Sequence, residues 1–337
     1  MSFSQYNWFL SFCFVYLKDT QQRWERLIMK KGKRLSTGDT IGIVAPSSPA
    51  KRGEVEKAKS DLEALGFNVY LGKTCFKKHG GYLAGTIEQR VNELHDMFVD
   101  ETIDGIICLR GGYGTPQLLN EIDFELIKNN PKVFVGYSDI TALHISFQQR
   151  ANLCTVHGPM ASRGLNSLRE QSKKYLFRTI MENKPLGQIE NPQEEPIKTL
   201  VPGIAQGKII GGNLTLIAST MGTPYEIDTQ GKLLFIEDVG EEPYRIDRML
   251  HQLALAGKFS DAAGVIIGTW SGCEPNKYDG CFTVEQLFEQ IIKPFNKPTI
   301  YNVQSGHDDW NMTLPFGVDT TLDATKGIIQ VNESVVL

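Results

Sequence analysis

Three features of this 337-residue sequence predict an α/β fold built on a parallel sheet. Short apolar runs rich in β-branched residues alternate with stretches of helical period. The runs end in loops bearing glycine or polar residues. The composition, 41% hydrophobic and 22% charged, supplies enough apolar surface for a large core. A β-α-β-α order places helices on both faces of the sheet and ligand sites at the carboxyl ends of the strands.

Residues 40–46 (TIGIVAP) read as a buried strand ending in the loop Ser47-Ser48-Pro49. Val55, Ala58, Leu62 and Leu65 fall at helical spacing, and Gly66 ends that helix. Residues 67–71 form the next strand. Thr86 with Gln89 is a capping-box pattern, opening a helix with Ile87, Val91, Leu94 and Met97 on one face. Residues 103–109 (IDGIICL) read as an apolar strand that runs into the loop RGGYG, 110–114. A short helical stretch leads to Pro131, a strand covers 132–137 and a helix covers 139–149. Residues 184–206 carry four prolines and no sustained period. Strands then follow at 208–210, 232–237 and 264–270, helices at 213–220, 244–256 and 284–292, and short β segments close the chain. The expected organisation is an N-terminal α/β domain over 29–185, a linker over 186–206, and a smaller C-terminal α/β domain over 207–337.

A net charge of −4 argues against a nucleic-acid binder, which needs a basic face. No block of like charge marks a membrane-binding patch, and no period of 20–50 residues marks a solenoid. The six cysteines, at 13, 75, 108, 154, 273 and 281, form no C-x-x-C and no zinc spacing. Scattered thiols fit a reducing compartment, and Cys108, inside an apolar run, reads as an inert buried thiol. No metal or cofactor is expected.

Residues 1–28 differ from the rest. The stretch 1–17 is aromatic and uncharged, lacks the basic start and cleavage site of a signal peptide, and is short for a membrane span. Codons for Trp24-Glu25-Arg26 can spell a purine-rich ribosome-binding site just before Met29. The expectation is that 1–28 is a non-native or disordered leader.

The sharpest chemical signal is the strand 133–136 running through Gly136-Tyr137-Ser138 straight into a helix. A serine at such a turn is either a nucleophile elbow or a helix N-cap. The second glycine of the hydrolase elbow is replaced by Ile140. The glycines of 110–114 allow close backbone approach and can aim amides at an anion, or simply make a tight turn. Glu237 and Asp238 end an apolar strand, where an acid either orients a histidine or serves as a helix cap or an ion pair with Arg245 or Arg248. His307 and His79 sit in glycine-turned loops; His79 reads as an exposed loop position. His157 stands at a strand end and is a candidate for lining a site. His95 and His251 read as surface positions and His144 as packing. Ser138, Glu237 and His307 together supply a nucleophile, an orienting acid and a base.

Motifs along residues 30–337 resemble one family. They are GDTIGIVAPSS (38–48), RGGYG (110–114), GYSD (136–139), HGPM (157–160), GGNL (211–214), IED (236–238), Gly306-His307, Asn311 and TLP (313–315). Together they resemble the LD-carboxypeptidases, or muramoyltetrapeptide carboxypeptidases, a family that also holds the microcin C self-immunity peptidases. The resemblance implies a serine peptidase with nucleophile Ser138, acid Glu237 and base His307. It implies an oxyanion hole from the amide of Asp139 and one from Gly111 or Gly112. It further implies an N-terminal domain like that of class I glutamine amidotransferases, a smaller C-terminal domain, and a groove between them. The implied enzyme is a cytoplasmic homodimer that takes the terminal D-alanine from murein tetrapeptide during cell-wall recycling.

Arg110, Tyr113, His157 and Asn311 are the expected substrate contacts, with Arg110 or Arg163 as the carboxylate partner. In the microcin branch, Trp270 or Trp310 would offer a stacking surface for a nucleotide. The remaining alternative is a non-catalytic peptide-binding α/β protein. A chain begun at Met29 is expected to fold and keep full activity; loss of folding on that truncation would refute the leader assignment.

Overall fold

The computed structural model describes residues 28–275 and 280–337. The expectation for the leader therefore concerns residues that lie outside the described ones, apart from Ile28.

The first sheet collects strands β1 (Thr40–Val44), β2 (Asn68–Leu71), β3 (Gly105–Cys108), β4 (Val133–Gly136) and β5 (Thr155–His157). They pair in parallel in the order β5-β4-β3-β1-β2. Helices α1 (Arg52–Ala64), α2 (Ile87–Val99), α3 (Phe124–Asn129) and α4 (Thr141–Arg150) lie between these strands in sequence, and α5 (Glu170–Met181) follows β5. Thr86 caps α2 as the sequence predicts, accepting from the Gln89 amide at 3.2 Å. β3 and β4 are buried at every residue, as expected of strands covered on both faces.

The segment 186–206 is not a bare linker. It contains β6 (Gly187–Ile189), β7 (Lys198–Val201) and the start of β8 (Ile204–Asn213). These join β9 (Leu233–Val239), β10 (Gly264–Ser271), β11 (Thr299–Tyr301), β13 (Asp319–Asp323) and β14 (Ile328–Val331) in a second sheet, ordered β6-β14-β13-β8-β9-β10-β11-β7. The four strands β8-β9-β10-β11 are parallel; the flanking ones are antiparallel. Helices α6 (Leu214–Ser219) and α7 (Pro243–Leu255) follow β8 and β9. β12 (Leu314–Phe316) leaves this half of the chain and pairs antiparallel with β5, closing the edge of the first sheet.

The two halves meet tightly. Gly211 and Gly212 lie where a side chain has no room: a Cβ at Gly211 would fall 1.9 Å from the Phe235 carbonyl oxygen, and one at Gly212 would fall 2.4 Å from Thr141 Oγ1. The Asn213 amide donates to that same Thr141 hydroxyl at 2.9 Å, joining the end of β8 to the start of α4. Beneath this joint lies a group of buried rings. His157 packs on Phe235 (4.9 Å), Phe316 (5.5 Å) and Tyr137 (5.9 Å), and His144 packs on Phe134 and Phe316.

His144 is fully buried, and its Nε2–H donates to the Gly136 carbonyl at 2.9 Å. Burial lowers its pKa to about 4, although that hydrogen bond opposes the shift. The unfolded chain therefore takes up this proton first. Stability from this residue is intact above about pH 6.5 and is lost as pH falls toward 4, by about 2.5 kcal/mol at pH 4.5. Denaturant titrations of wild type and His144→Phe at pH 7.5 and 4.5 should show a smaller acid loss in the variant. An equal loss would mean that His144 is not the buried neutral group described.

Candidate active site

Strand β4 delivers Ser138 into a sharp turn before α4. Ser138 has φ +65°, in the left-handed region that a non-glycine residue rarely occupies. The strain lifts its side chain off the line of the strand. The turn closes tightly because residue 136 is glycine: a Cβ there would meet Ile140 Cγ2 at 2.7 Å. Ile140 thus fills the space behind the turn, and this elbow dispenses with a second glycine.

β9 delivers Glu237 from the other sheet, fully buried. The loop after β11 delivers His307. His307 Nε2 lies 2.9 Å from Ser138 Oγ and its Nδ1 lies 2.7 Å from Glu237 Oε2. The three residues singled out in the sequence therefore form one hydrogen-bonded line. Two glycines make the approach possible: a Cβ on Gly306 would sit 3.0 Å from Glu237 Oε2, and one on Gly268 would sit 3.0 Å from Glu237 Cβ. The Tyr137 ring lies 4.9 Å from the His307 ring and walls one side of it.

Gly111 packs directly on the serine: a Cβ there would come 2.9 Å from Ser138 Cβ and 3.3 Å from the Asp139 amide nitrogen. Gly112, with φ +119°, passes so close to Ser48 that a Cβ would lie 2.4 Å from its Oγ, while Ser48 Oγ accepts from the Tyr113 amide at 3.0 Å. These loops are held by a ring of buried polar contacts that includes residues not foreseen in the sequence. Asp139 accepts from Ser47 Oγ at 2.5 Å and from the Thr115 amide at 2.9 Å, and the Thr115 hydroxyl donates to the Asp139 carbonyl. Arg90, with no exposed surface, donates to the carbonyls of Pro46 (2.8 Å) and Gly114 (3.0 Å) and to Gln117 Oε1 (2.8 Å). Burial pushes the Asp139 carboxyl up, against the pull of Ser47 and Thr115; burial pushes the Arg90 guanidinium down, against the Asp139 charge.

Asp238 does not pair with Arg245, whose guanidinium lies 3.4 Å from the Glu241 carboxylate. The Asp238 carboxylate accepts from Asn213 Nδ2, Thr215 N, Thr215 Oγ1 and Val239 N at 2.8–2.9 Å. Burial, and then the neighbouring Glu237, push it up to about 6.

Two expected substrate contacts are corrected. His157 has no exposed surface and is enclosed by rings, so it cannot line the cleft. Asn311 is also buried; its Oδ1 accepts from the Gly306 backbone amide and its own backbone N–H donates to Ser172 Oγ, so it anchors the His307 loop. Tyr113 is exposed and meets Tyr82 edge-on at 5.5 Å. Arg110 is half-buried and donates to the Pro49 carbonyl at 3.2 Å.

His307 opens on a cavity of about 510 Å³ lined by Arg163, Arg169, Glu195, Gln304 and Trp310 among others. The guanidinium of Arg169 covers Trp310 at 4.4 Å. Trp270 lines a neighbouring cavity with Tyr301 and Lys198. Among the described residues, no group of three or more His, Cys, Asp or Glu side chains could hold a metal ion, and no helix is long and apolar enough to cross a membrane.

The fold and this constellation define a two-domain α/β hydrolase with its site at the carboxyl ends of strands from two sheets. Residues 41–158 match the model of the LD-carboxypeptidase N-terminal domain and residues 206–322 that of the LD-carboxypeptidase C-terminal domain. The chain is 41% identical over 298 residues to a probable murein peptide carboxypeptidase of Bacillus subtilis, covering 88% of this chain and 92% of that protein. The solved muramoyltetrapeptide carboxypeptidase from Oxalobacter formigenes aligns with a TM-score of 0.76 at 26% identity, over 87% of this chain and 99% of that one. The microcin C7 self immunity protein MccF, solved with aspartyl sulfamoyl adenosine, shares the fold with a TM-score of 0.83 at 22% identity, over 91% and 100% of the chains. This chain belongs to the LD-carboxypeptidase family, and it is a carboxypeptidase.

Arg90→Met should destabilise the fold by about 3 kcal/mol, because it removes the donors of two buried carbonyls and of the half-buried Gln117 Oε1, and takes away a charge that favours ionised Asp139. Denaturant unfolding measures this, and a loss below about 1 kcal/mol would contradict the ring of contacts.

Proposed function

We propose that this chain is a serine-type L,D-carboxypeptidase that removes the terminal D-alanine from murein tetrapeptide, in cell-wall peptide recycling. The observation that carries this function is the hydrogen-bonded line from Ser138 through His307 to Glu237, set against amides of the Gly111–Gly112 loop and Asp139. A serine hydroxyl is a weak nucleophile until a base takes its proton. His307 Nε2 is placed to accept it as Ser138 Oγ attacks the carbonyl before D-alanine. Glu237 holds Nδ1–H, fixing the tautomer and stabilising the imidazolium. The oxyanion is met by the Asp139 amide and by an amide of the glycine loop. His307 then gives the proton to the leaving amine, and water, activated by the same imidazole, releases the tripeptide from Ser138. The name of the Bacillus subtilis relative supports murein peptide as the substrate class. Cytoplasmic location and a homodimer follow from the family resemblance as parts of the same proposal.

Mass spectrometry of L,D-tetrapeptide incubated with enzyme should show loss of one alanine with wild type and none with Ser138→Ala. Glu237→Gln should lower kcat by about 10³-fold or more, since the wrong tautomer is then favoured. Cleavage of a D,D bond in place of the L,D bond would defeat the assigned stereochemistry. Full activity in Ser138→Ala would defeat the serine mechanism.

A further inference from the structure

A carboxypeptidase has a requirement that the triad does not meet. The residue it releases carries a free carboxylate, and a charge-assisted hydrogen bond from a cation is the strongest way to hold such an anion in a cleft. Covalent geometry limits where that cation can stand. Nitrogen, Cα and carboxylate carbon are joined by bonds of about 1.46 and 1.52 Å, so the carboxylate oxygens lie within roughly 4 Å of the leaving nitrogen. That nitrogen must come within hydrogen-bond distance of His307 Nε2 to take its proton. The cation therefore has to line the same cavity as His307.

Two arginines do, Arg163 and Arg169. The charge of Arg169 is already engaged, 3.3 Å from the Asp309 carboxylate and stacked over Trp310. Arg163 makes only a long contact of 3.5 Å, from Nη2 to the carbonyl oxygen of Asp308, the neighbour of His307. It pairs with no carboxylate among the described residues. Arg110, the other candidate from the sequence, is turned to the Pro49 carbonyl and does not line this cavity.

We propose that Arg163 is the specificity determinant that confines this enzyme to the last bond of a peptide, its guanidinium taking the terminal carboxylate of the leaving residue. The proposal rests on the carboxypeptidase mechanism above and adds the group that recognises the chain end. A planar fork suits a carboxylate better than an ammonium does, so lysine should substitute only in part.

The test compares kcat/KM for L,D-tetrapeptide ending in D-alanine with that for the same peptide ending in D-alaninamide. Wild type should prefer the free acid by about 100-fold, the range for a charge pair at a partly desolvated site. Arg163→Met should lower kcat/KM on the acid by a similar factor, mainly through KM, and leave the amide within about two-fold. Arg163→Lys should recover part of the preference. If Arg163→Met keeps the wild-type preference for the acid, the cation lies elsewhere and the proposal is overturned. If wild type cleaves acid and amide alike, no carboxylate subsite exists and the proposal is overturned while the hydrolase mechanism stands. If wild type cleaves neither peptide, the murein peptide substrate falls and this inference falls with it.

Discussion

The hydrogen bond between Ser138 and His307 joins residues 169 positions apart, delivered by different sheets, and it closes at 2.9 Å. A heavy-atom separation of that size tolerates little slip between the two halves before the bond is lost. The remaining architecture can be understood as the means of holding that separation. Glycines at 211 and 212 bring β8 against β9 and α4, the Thr141 hydroxyl receives the Asn213 amide, and the rings of Tyr137, His157, Phe235 and Phe316 fill the space underneath. Close-packed interiors deform little, so His307 and Ser138 set on such a foundation stay in register.

Polar groups do the finer adjustment. Ser47, Ser48, Arg90, Thr115 and Asp139 tie together the loops after β1 and β3 and the turn after β4. Each bond is worth little net, but a buried group left without its partner is expensive, so such a ring favours one arrangement over its neighbours. The left-handed conformation of Ser138 persists because its surroundings over-determine it: Gly111 on one side and Ile140 behind. The Asp238 carboxylate, with its four donors, does the same for the end of β9 that carries Glu237.

The hydrogen-bonded line of Ser138, His307 and Glu237 was legible because each of the three stands at the end of an apolar strand or in a glycine-turned loop, where α/β proteins keep their chemistry. His157 shows the limit of that rule. It also ends a strand, but β12 pairs beside it and Phe235 and Phe316 close over it, which depends on contacts with residues far along the chain. Arg90 left a trace that could have been followed: it stands four residues before Leu94 and seven before Met97, a charge on the apolar face of α2, whereas Ile87 at the start of the helix is exposed. The segment 186–206 gives no clear strand signal because its prolines, at 192, 196 and 202, break it into short pieces: β6 and β7 are three and four residues long and form the two outer edges of the second sheet.

The return of β12 to the first sheet has a bearing on how the protein is made. Ribosomes release the N-terminal half first. Until residues 314–316 emerge, the outer side of β5 has no pairing partner, and exposed strand edges invite association with other chains. Leu337 adds to this closure, exchanging backbone hydrogen bonds with Gly32 and Arg34 at 3.0 and 3.1 Å. Ser138 and the sheet that presents it are therefore made before the strand that covers that sheet's edge, and before the His307 that completes the hydrogen-bonded line.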